Sequence, residues 1–170
     1  MAAASTHGPN RTTSVGLISD THGLLRREAL DALRGSDFIV HAGDIGCPAI
    51  LEELRCLAPV TAVRGNNDQG PWAETLPELA SLVVQATRIL IIHNLKALDA
   101  MPASEKVQVV ISGHSHRPGY RERDGILFFN PGSAGPRRFR LPVALGRLLI
   151  AGQDIVPELH ILEPGPTQGG

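Results

Sequence analysis

The sequence predicts an α/β domain with two packed sheets, the first parallel and the second mixed or antiparallel. Up to residue 63, short runs of Val, Ile and Leu alternate with segments whose apolar residues recur at helical spacing. After residue 80, extended runs come in pairs around short turns such as Asp124-Gly125. Alternating strands and helices are typical of a parallel sheet with helical crossovers, and paired runs are typical of antiparallel hairpins. Two sheets packed face to face, with helices outside, would bury both apolar sets.

The first half of the chain follows the order strand, helix, strand, helix, strand. The helix predicted over 24–34 carries Leu and Ala at helical spacing, and Gly35 ends it. Pro48 begins the second helix, since the first helical turn tolerates proline. The predicted strands are Val15–Ser19, Phe38–Val40 and Val60–Val63.

The second half consists mainly of predicted hairpins. Asp-Gly between two extended runs is a strong hairpin signal. A short helix is predicted over 95–100, and a buried strand over 107–111. The predicted strand pairs are 82–84 with 88–92, 120–123 with 126–129, and 143–150 with 155–162.

Length and composition indicate one globular domain. The chain has 170 residues, of which 42% are apolar and 19% charged, and this is ordinary globular composition. We expect one domain over residues 15–163, with flexible tails at 1–14 and 164–170. No apolar run approaches the ~20 residues of a membrane span, so no membrane association is expected. Cys47 and Cys56 form no Cys-x-x-Cys motif, which predicts reduced thiols and a cytoplasmic location.

Polar side chains follow five of the predicted strands, at the point where each strand ends. In open α/β sheets, ligands bind outside these carboxyl ends, so we expect the side chains to converge. They offer carboxylate, amide and imidazole donors and no thiolate, a mixture that suits divalent Mn, Fe, Co, Ni or Zn. The candidate ligands are Asp20, His22, Asp44, Asn66, His93, His114 and His116.

This donor set is too large for a four-coordinate zinc site. It suits two ions that share one bridging carboxylate, an arrangement typical of phosphoryl-transfer sites. Each motif alone is weak, because Asp-x-His, His-x-His and Gly-Asp are common in turns and on surfaces. Their order along the chain and their placement at strand ends carry the hypothesis.

The motifs together resemble a known family. The chain resembles the calcineurin-like metallophosphoesterases, and within them the small bacterial and archaeal phosphodiesterases, a branch similar to the phosphoesterase-like subunit of the retromer coat. The resemblance covers nearly the whole chain. The matching segments are Ile18–Gly23, Val40–Asp44, Arg64–Asp68, Ile91–His93, Ile111–His116 and Asn130–Ser133.

The resemblance implies a fold and a reaction. The implied fold is a four-layer α/β/β/α sandwich of two mixed sheets flanked by helices, with metals at one edge. A water or hydroxide between two ions would attack the phosphorus of a small phosphodiester, or less often of a phosphomonoester. The implied ligands are Asp20, His22 and His116 for one ion, Asn66, His93 and His114 for the other, and Asp44 as the bridge between them.

Within this set, Asp44, Asn66 and His93 are predicted to be catalytic. The predicted cofactors are two divalent ions, with Mn²⁺ preferred and Fe, Zn, Co or Ni as alternatives. We expect the ions to be needed for activity.

The chain departs from the family pattern at two positions. Many members carry a His after the metal-ligand Asn, and here that position is Asn67, whose amide cannot donate a proton as an acid. The residue after His93 is usually Gly and here is Asn94, which tolerates left-handed geometry. Asn67, Arg64 and Arg137 are the predicted substrate contacts, and His41 is predicted to support the site without binding metal.

Two other functions are alternatives to the phosphodiesterase. A non-catalytic scaffold, like the similar retromer subunit, predicts eroded ligands, whereas all seven positions hold ligand-capable residues. A nuclease on short nucleic acids is the third hypothesis. A net charge of −1 and few aromatic residues argue against binding of long nucleic acid. The oligomeric state is left open, and a homo-oligomer is compatible with the sequence.

Overall fold

Ten strands in two sheets frame the part of the chain that the computed structural model describes, residues 11–99, 101 and 106–163. The strands are β1 Thr13–Ile18, β2 Phe38–His41, β3 Val60–Ala62, β4 Leu79–Val84, β5 Thr87–Ile92, β6 Val109–Ile111, β7 Gly119–Arg123, β8 Ile126–Asn130, β9 Val143–Ala151 and β10 Asp154–Glu163. The helices are α1 Arg27–Leu33, α2 Pro48–Arg55 and α3 Pro71–Glu74, with a 3₁₀ turn at Leu95–Ala97.

Each sheet combines parallel and antiparallel strand pairs. The first sheet has the order β10-β9-β1-β2-β3, in which β1, β2 and β3 are parallel. The second has the order β4-β5-β6-β8-β7, in which β5, β6 and β8 are parallel. The predicted mixed α/β architecture is therefore confirmed, but the expectation of a purely parallel first sheet is wrong, because β9 and β10 join that sheet antiparallel. The parallel strands matter for function because the loops after five of them carry the candidate ligands.

The main core lies between the two sheets. Side chains alternate along a strand, so every second residue of β1 and of β5 faces this core. The first sheet contributes Val15, Leu17, Val40, Leu148 and Ile150, and the second contributes Ile89, Ile91, Val109, Ile111 and Phe129. This continuous apolar layer holds the two sets of strand ends in register at one edge.

The outer faces of the two sheets are covered differently. Helices α1 and α2 pack their buried residues, such as Leu33 and Leu54, against Ile18 and Ile39 of the first sheet. On the second sheet, Leu90 and Val110 belong to a cluster that also includes Leu95 of the 3₁₀ turn. The layers follow the predicted α/β/β/α order, with the fourth layer reduced in the described residues to this turn and its loops.

Several element boundaries differ from the prediction. Helix α1 begins at Arg27 and not at Leu24, because the Leu24 amide donates to Thr21 in a turn. The helix predicted over 95–100 is only a 3₁₀ turn, which the Asn94 side chain caps. Strand β4 begins at Leu79, earlier than expected, and β6 begins at Val109, later than expected. Helix α3 was not predicted, since its four residues are too few for a periodic signal.

The N-terminal boundary of the domain also shifts. Strand β1 begins at Thr13, inside the segment predicted as a tail, because Thr13 and Ser14 pair with β9. The Ser14 amide also donates to the Asp37 carboxylate over 2.9 Å. Strand β10 ends at Glu163. The remaining tail predictions, at 1–10 and 164–170, lie outside the described residues.

Candidate metal centre

All seven candidate ligands lie at the edge where the parallel strands of both sheets end. Their loops are bonded to one another through backbone atoms. The Asp20 amide donates to the Gly43 carbonyl over 3.0 Å, and the His22 amide donates to the Asp44 carbonyl over 2.9 Å. The Gly113 amide donates to the His93 carbonyl over 3.0 Å. The loops thus form one network that fixes the ligands relative to each other.

Three ligands form the buried cluster, which we define as Asp20, His22 and His116. The Nε2 atom of His116 lies 3.1 Å from Oδ1 of Asp20, and Nε2 of His22 lies 3.7 Å from the same oxygen. The two imidazole Nε2 atoms are 3.3 Å apart. Asp20 is 0% exposed and His116 is 7% exposed. These three residues could hold one metal ion.

Three further ligands form the open cluster, which we define as Asn66, His93 and His114. The Asn66 amide oxygen lies 2.9 Å from Nε2 of His93 and 3.1 Å from Nδ1 of His114. His93 is buried, whereas Asn66 and His114 are exposed. The Nδ1–H group of His93 donates to the Ala42 carbonyl over 2.7 Å, which directs Nε2 into the site.

Asp44 lies between the two clusters. Its Oδ2 atom is 3.3 Å from Nε2 of His93 and 3.7 Å from Nε2 of His22. Both carboxylate oxygens accept hydrogen bonds from Asn67, Oδ1 from the backbone amide and Oδ2 from the side-chain amide, each over 2.9 Å. One carboxylate oxygen therefore faces both groups of ligands.

The backbone at the ligands is strained. Five of the seven ligands have a positive φ although none of them is glycine, a conformation that costs of order 1–3 kcal/mol per residue. Such strain persists only where the surrounding structure enforces it, and it concentrates at functional sites. The five residues are Asp20 (54°), His22 (46°), Asp44 (53°), His114 (69°) and His116 (59°).

Two glycines allow the loops to approach this closely. A Cβ atom at Gly65 would collide with the backbone and carboxylate of Asp44. A Cβ atom at Gly113 would collide with Ser19 and with the Asp20 carboxylate. Any side chain at either position would push apart the loops that carry the ligands.

Asp68 holds two of these loops together, a role that the sequence did not reveal. Its buried carboxylate accepts hydrogen bonds from the backbone amides of Ile45 (2.8 Å), Gly46 (2.9 Å) and Gly65 (2.9 Å). The first two amides follow Asp44, and the third precedes Asn66. An acid in a Gly-rich loop is a weak signal by itself, because only the fold shows which amides it reaches.

The charges at the centre stabilise the ionised carboxylates. Burial opposes ionisation of Asp20, but the imidazoles of His116 and His22 and the Ser19 hydroxyl outweigh it, so the pKa lies below its usual range. Burial likewise opposes ionisation of Asp44, but His93 and Asn67 lower its pKa to about 2. Burial alone would lower the pKa of His93, and its bonds to Asp44 and Ala42 raise it instead.

The residues present fit divalent ions. Among the described residues, Oδ1 of Asp20 and Nδ1 of His116 are buried without a hydrogen-bond partner. The Nε2 atom of His93 faces the acceptor oxygens of Asn66 and Asp44, a setting that requires a cation, either a proton or a metal ion. A buried carboxylate oxygen without a hydrogen-bond partner, beside imidazole and amide donors, is the chemistry of a site for a borderline divalent ion.

His41 is fully buried, and its ring is hydrogen-bonded to residues next to the candidate ligands. The Thr21 hydroxyl donates to the Ile45 carbonyl over 2.9 Å, so it accepts from Nε2–H of His41 over 3.0 Å. The Gly43 amide donates to Nδ1 of the same ring over 3.2 Å. This arrangement holds a neutral imidazole, and burial lowers its pKa to about 4.

The three predicted substrate contacts lie in different surroundings. The Arg64 guanidinium pairs with Glu78 over 2.7 Å. The Asn67 side chain is directed at Asp44. Arg137 is partly buried in the loop between β8 and β9. Contact of these residues with substrate stays a prediction.

The chain belongs to the calcineurin-like phosphoesterase superfamily. Residues 14–150 match the calcineurin-like phosphoesterase superfamily domain. The resemblance that the motifs carried is thereby confirmed.

Two individual relatives of the chain are named as phosphoesterases. The chain is 34% identical over 157 residues to a probable metallophosphoesterase of Methanothermobacter thermautotrophicus, an alignment that covers 85% of this chain and 90% of the relative. It is 29% identical over 161 residues to the phosphodiesterase YfcE of Escherichia coli, covering 76% of this chain and 84% of the relative. These relatives are named as metal-dependent phosphoesterases and phosphodiesterases.

A solved structure matches the fold. The vacuolar protein sorting 29 protein of Cryptosporidium parvum superimposes with a TM-score of 0.77 at 20% identity, covering 91% of this chain and 94% of that protein. This likeness concerns the fold alone. None of the helices in the described residues is long and apolar enough to span a bilayer.

Proposed function

We propose that this protein is a phosphodiesterase that hydrolyses small phosphodiesters with two divalent ions, one at each cluster. The observation that carries the proposal is the position of Asp44, whose Oδ2 atom faces His93 at 3.3 Å and His22 at 3.7 Å. Two neighbouring cations need a shared anion between them, and a carboxylate in contact with ligands of both supplies it.

The ligands would be divided between the two ions as the clusters are. The buried cluster would hold one ion and the open cluster the other, with Asp44 bound to both. When bound, such ions polarise the phosphoryl group and lower the pKa of water. Asp44, Asn66 and His93 are the residues proposed as catalytic, because they surround the position where both clusters meet.

The reaction itself is a hydrolysis. The oxygen of water forms a new bond to phosphorus, the ester bond from phosphorus to the leaving alcohol breaks, and the leaving oxygen takes up a proton. Arg137 and Asn67 are proposed to contact the phosphate. Arg64 could do so only by leaving its ion pair with Glu78, which is 2.7 Å long.

The proposal is tested by removing and restoring the ions. Purified protein is treated with chelator and assayed on bis(4-nitrophenyl) phosphate, alone and with Mn²⁺, Fe²⁺, Co²⁺, Ni²⁺ or Zn²⁺. We expect no turnover in the chelated protein and the best recovery with Mn²⁺. His93→Gln is expected to abolish recovery. The matched control is His160→Gln, which changes a histidine in β10 outside the ligand set.

Full activity in chelated protein would contradict the mechanism. Absence of turnover with every ion would favour a non-catalytic scaffold. Preferential cleavage of oligonucleotides over small diesters would favour the nuclease alternative.

A cytoplasmic location is part of the same proposal. Cys47 and Cys56 are both free thiols. They lie on either side of α2, at its two caps, and so cannot bridge each other across the helix. Free thiols fit a reducing compartment. A homo-oligomer stays a prediction.

A further inference from the structure

A cavity of about 830 Å³ opens beside His114, the outermost ligand of the open cluster. It extends from His114 along the ends of β8 and β7 to the 3₁₀ turn at Leu95. Its size lies in the range of roughly 300–1,000 Å³ that small-molecule sites occupy. A phosphate bound at the open cluster would therefore have room for one of its ester groups on this side.

The lining of this cavity is cationic. Lys96, Arg117 and Arg121 line it, and no Asp or Glu does. All three are exposed, and none of them forms an ion pair with another described residue. Three unneutralised cations around one cavity attract a ligand group with negative charge of its own.

The cavity on the other side of His93 has a different charge. It measures about 700 Å³ and is lined by Arg64, Glu78 and Asp99 among others. Arg64 is paired with Glu78 over 2.7 Å, so the Asp99 carboxylate leaves the lining of this cavity with a net negative charge. A second anionic group on the substrate is therefore favoured on the His114 side and disfavoured on the other.

The first cavity also offers apolar and aromatic surface. Phe128 and Leu95, both partly buried, line it together with Tyr120. Arg121 pairs directly with Phe128 in the register of β7 and β8, so a charged and an aromatic residue are adjacent. Flat apolar surface next to guanidinium groups suits a planar ring that carries an anionic group.

We propose that this cavity binds one ester arm of the substrate, and that the arm is a nucleotide, a base and sugar that carry a second phosphate. The inference rests on the proposed function, because it takes the scissile phosphate to lie at the metal centre. The arm passes His114, its ring lies against the apolar lining, and its terminal phosphate reaches Arg117 and Arg121.

Binding of a matched pair of ligands tests this assignment. The probes are thymidine 3′,5′-bisphosphate and thymidine 3′-monophosphate, which differ only in the second phosphate, titrated calorimetrically into Mn²⁺-loaded protein. We expect the bisphosphate to bind about tenfold more tightly, the size expected of one partly screened charge contact. The double variant Arg117→Gln/Arg121→Gln is expected to reduce this preference to about twofold or less.

Arg123→Gln is the matched control. Arg123 lies on the same strand and face as Arg121, outside the cavity lining and beside Asp124. Its replacement removes one positive charge nearby, against two in the double variant. The preference for the bisphosphate should survive in this variant. A ratio near one in the wild-type protein would overturn the inference. A ratio that the double variant leaves unchanged, or that Arg123→Gln reduces equally, would overturn it too.

Hydrolysis of bis(4-nitrophenyl) phosphate is measured in the same preparations. This diester has no second phosphate, so its hydrolysis by the wild-type protein reports on the metal centre without the charge contact, and Arg123→Gln should hydrolyse it within about twofold of the wild-type rate. If the wild-type protein does not hydrolyse this diester, the result counts against the proposed function. A missing bisphosphate preference in active protein would count against the cavity alone.

Discussion

Asp20 and His116 of the buried cluster are shielded from solvent, whereas Asn66 and His114 of the open cluster are exposed. The buried cluster contains a carboxylate of its own, while the open cluster consists of neutral donors and shares Asp44. Charge and burial therefore both favour tighter retention of an ion in the buried cluster.

The surroundings of the two clusters differ in the same direction. His114 lines one of the two cavities described above, and Asn66 and His93 line the other. Asp20, His22 and His116 line neither of these two. If the proposed function is correct, the buried cluster holds its ion more tightly and the open cluster is the one that substrate reaches.

Replacing the residue shared by both clusters should have the largest effect. Asp44→Asn should lower bound metal at both clusters and reduce kcat/KM by at least roughly 10²–10³-fold, the loss typical of removing one electrostatic group at a reacting centre. Metal content and turnover of bis(4-nitrophenyl) phosphate are the measurements. His41→Gln is the control, because the hydrogen bonds of the His41 ring go to Thr21 and to the Gly43 amide and not to the Asp44 carboxylate. Equal, mild effects of both changes would mean that Asp44 is not the bridge.

Single histidines should separate the two clusters. His116→Ala removes one of the three donors of the buried cluster, the imidazole that lies 3.1 Å from the Asp20 carboxylate, so an ion bound there should be lost. His114→Ala removes an exposed ligand, and added Mn²⁺ should restore much of the activity. At low Mn²⁺ we expect at least the roughly 10–100-fold loss that even a supporting residue costs a metal site.

Metal content after gel filtration in metal-free buffer distinguishes these outcomes. His114→Ala should retain about one ion per chain, the ion of the buried cluster. If both variants lose the same number of ions, the difference in burial has no consequence for binding.

The convergence of the seven candidate ligands could be predicted from the sequence because its signals are local. Each ligand follows a short buried strand, and parallel strands bring their carboxyl ends to one edge. The division into a buried and an open cluster could not be predicted in this way. It depends on how deeply each loop lies, and contacts such as His116 to Asp20 join residues far apart in the chain.

The direction in which loop side chains point could not be predicted from the sequence either. The side-chain amide of Asn67 bonds to Asp44, 23 residues away in the chain, a contact that the sequence did not indicate. Apolar spacing placed Leu24 in a helix, whereas it is 40% exposed in the turn before α1. Periodicity reports the face that a residue would have in a helix, and only packing decides whether the helix extends that far.

A third prediction concerns His41, the buried histidine next to the candidate ligands. His41 is neutral when folded, with a pKa of about 4 against the ordinary 6.5, so only the unfolded chain takes up its proton between these values. Stability is therefore complete above about pH 6.5 and declines as the pH falls towards 4, by on the order of 3 kcal/mol.

Denaturant unfolding of chelated protein at pH 7 and pH 5 measures this effect. His41→Gln should lose less stability between the two pH values than the wild-type protein does, whatever its stability at pH 7. An identical pH dependence in both proteins would show that the imidazole is not held neutral.

The smallest predicted effect belongs to Asn67, on the open side of the centre. A well-placed general acid contributes typically ~10²–10⁴-fold when the leaving group is poor, and an amide supplies none of it. The native enzyme should therefore favour nitrophenolate over alkyl leaving groups. Asn67→His would add a group of pKa near ~6.5, and would also give up the amide's bond to Asp44. We expect a gain of only a few-fold on alkyl diesters, and less on nitrophenyl diesters.

Rates on diesters of graded leaving-group pKa decide this prediction. Proton donation helps a poor leaving group more than a good one, so the plot for Asn67→His should be shallower than that of the wild-type enzyme. Asn67→Ala is the control, since it also loses the bond to Asp44 but adds no proton donor, and its plot should be lowered without a change of slope. If Asn67→His gives the same parallel fall as Asn67→Ala, residue 67 acts only by holding Asp44, and the proton reaches the leaving oxygen from elsewhere.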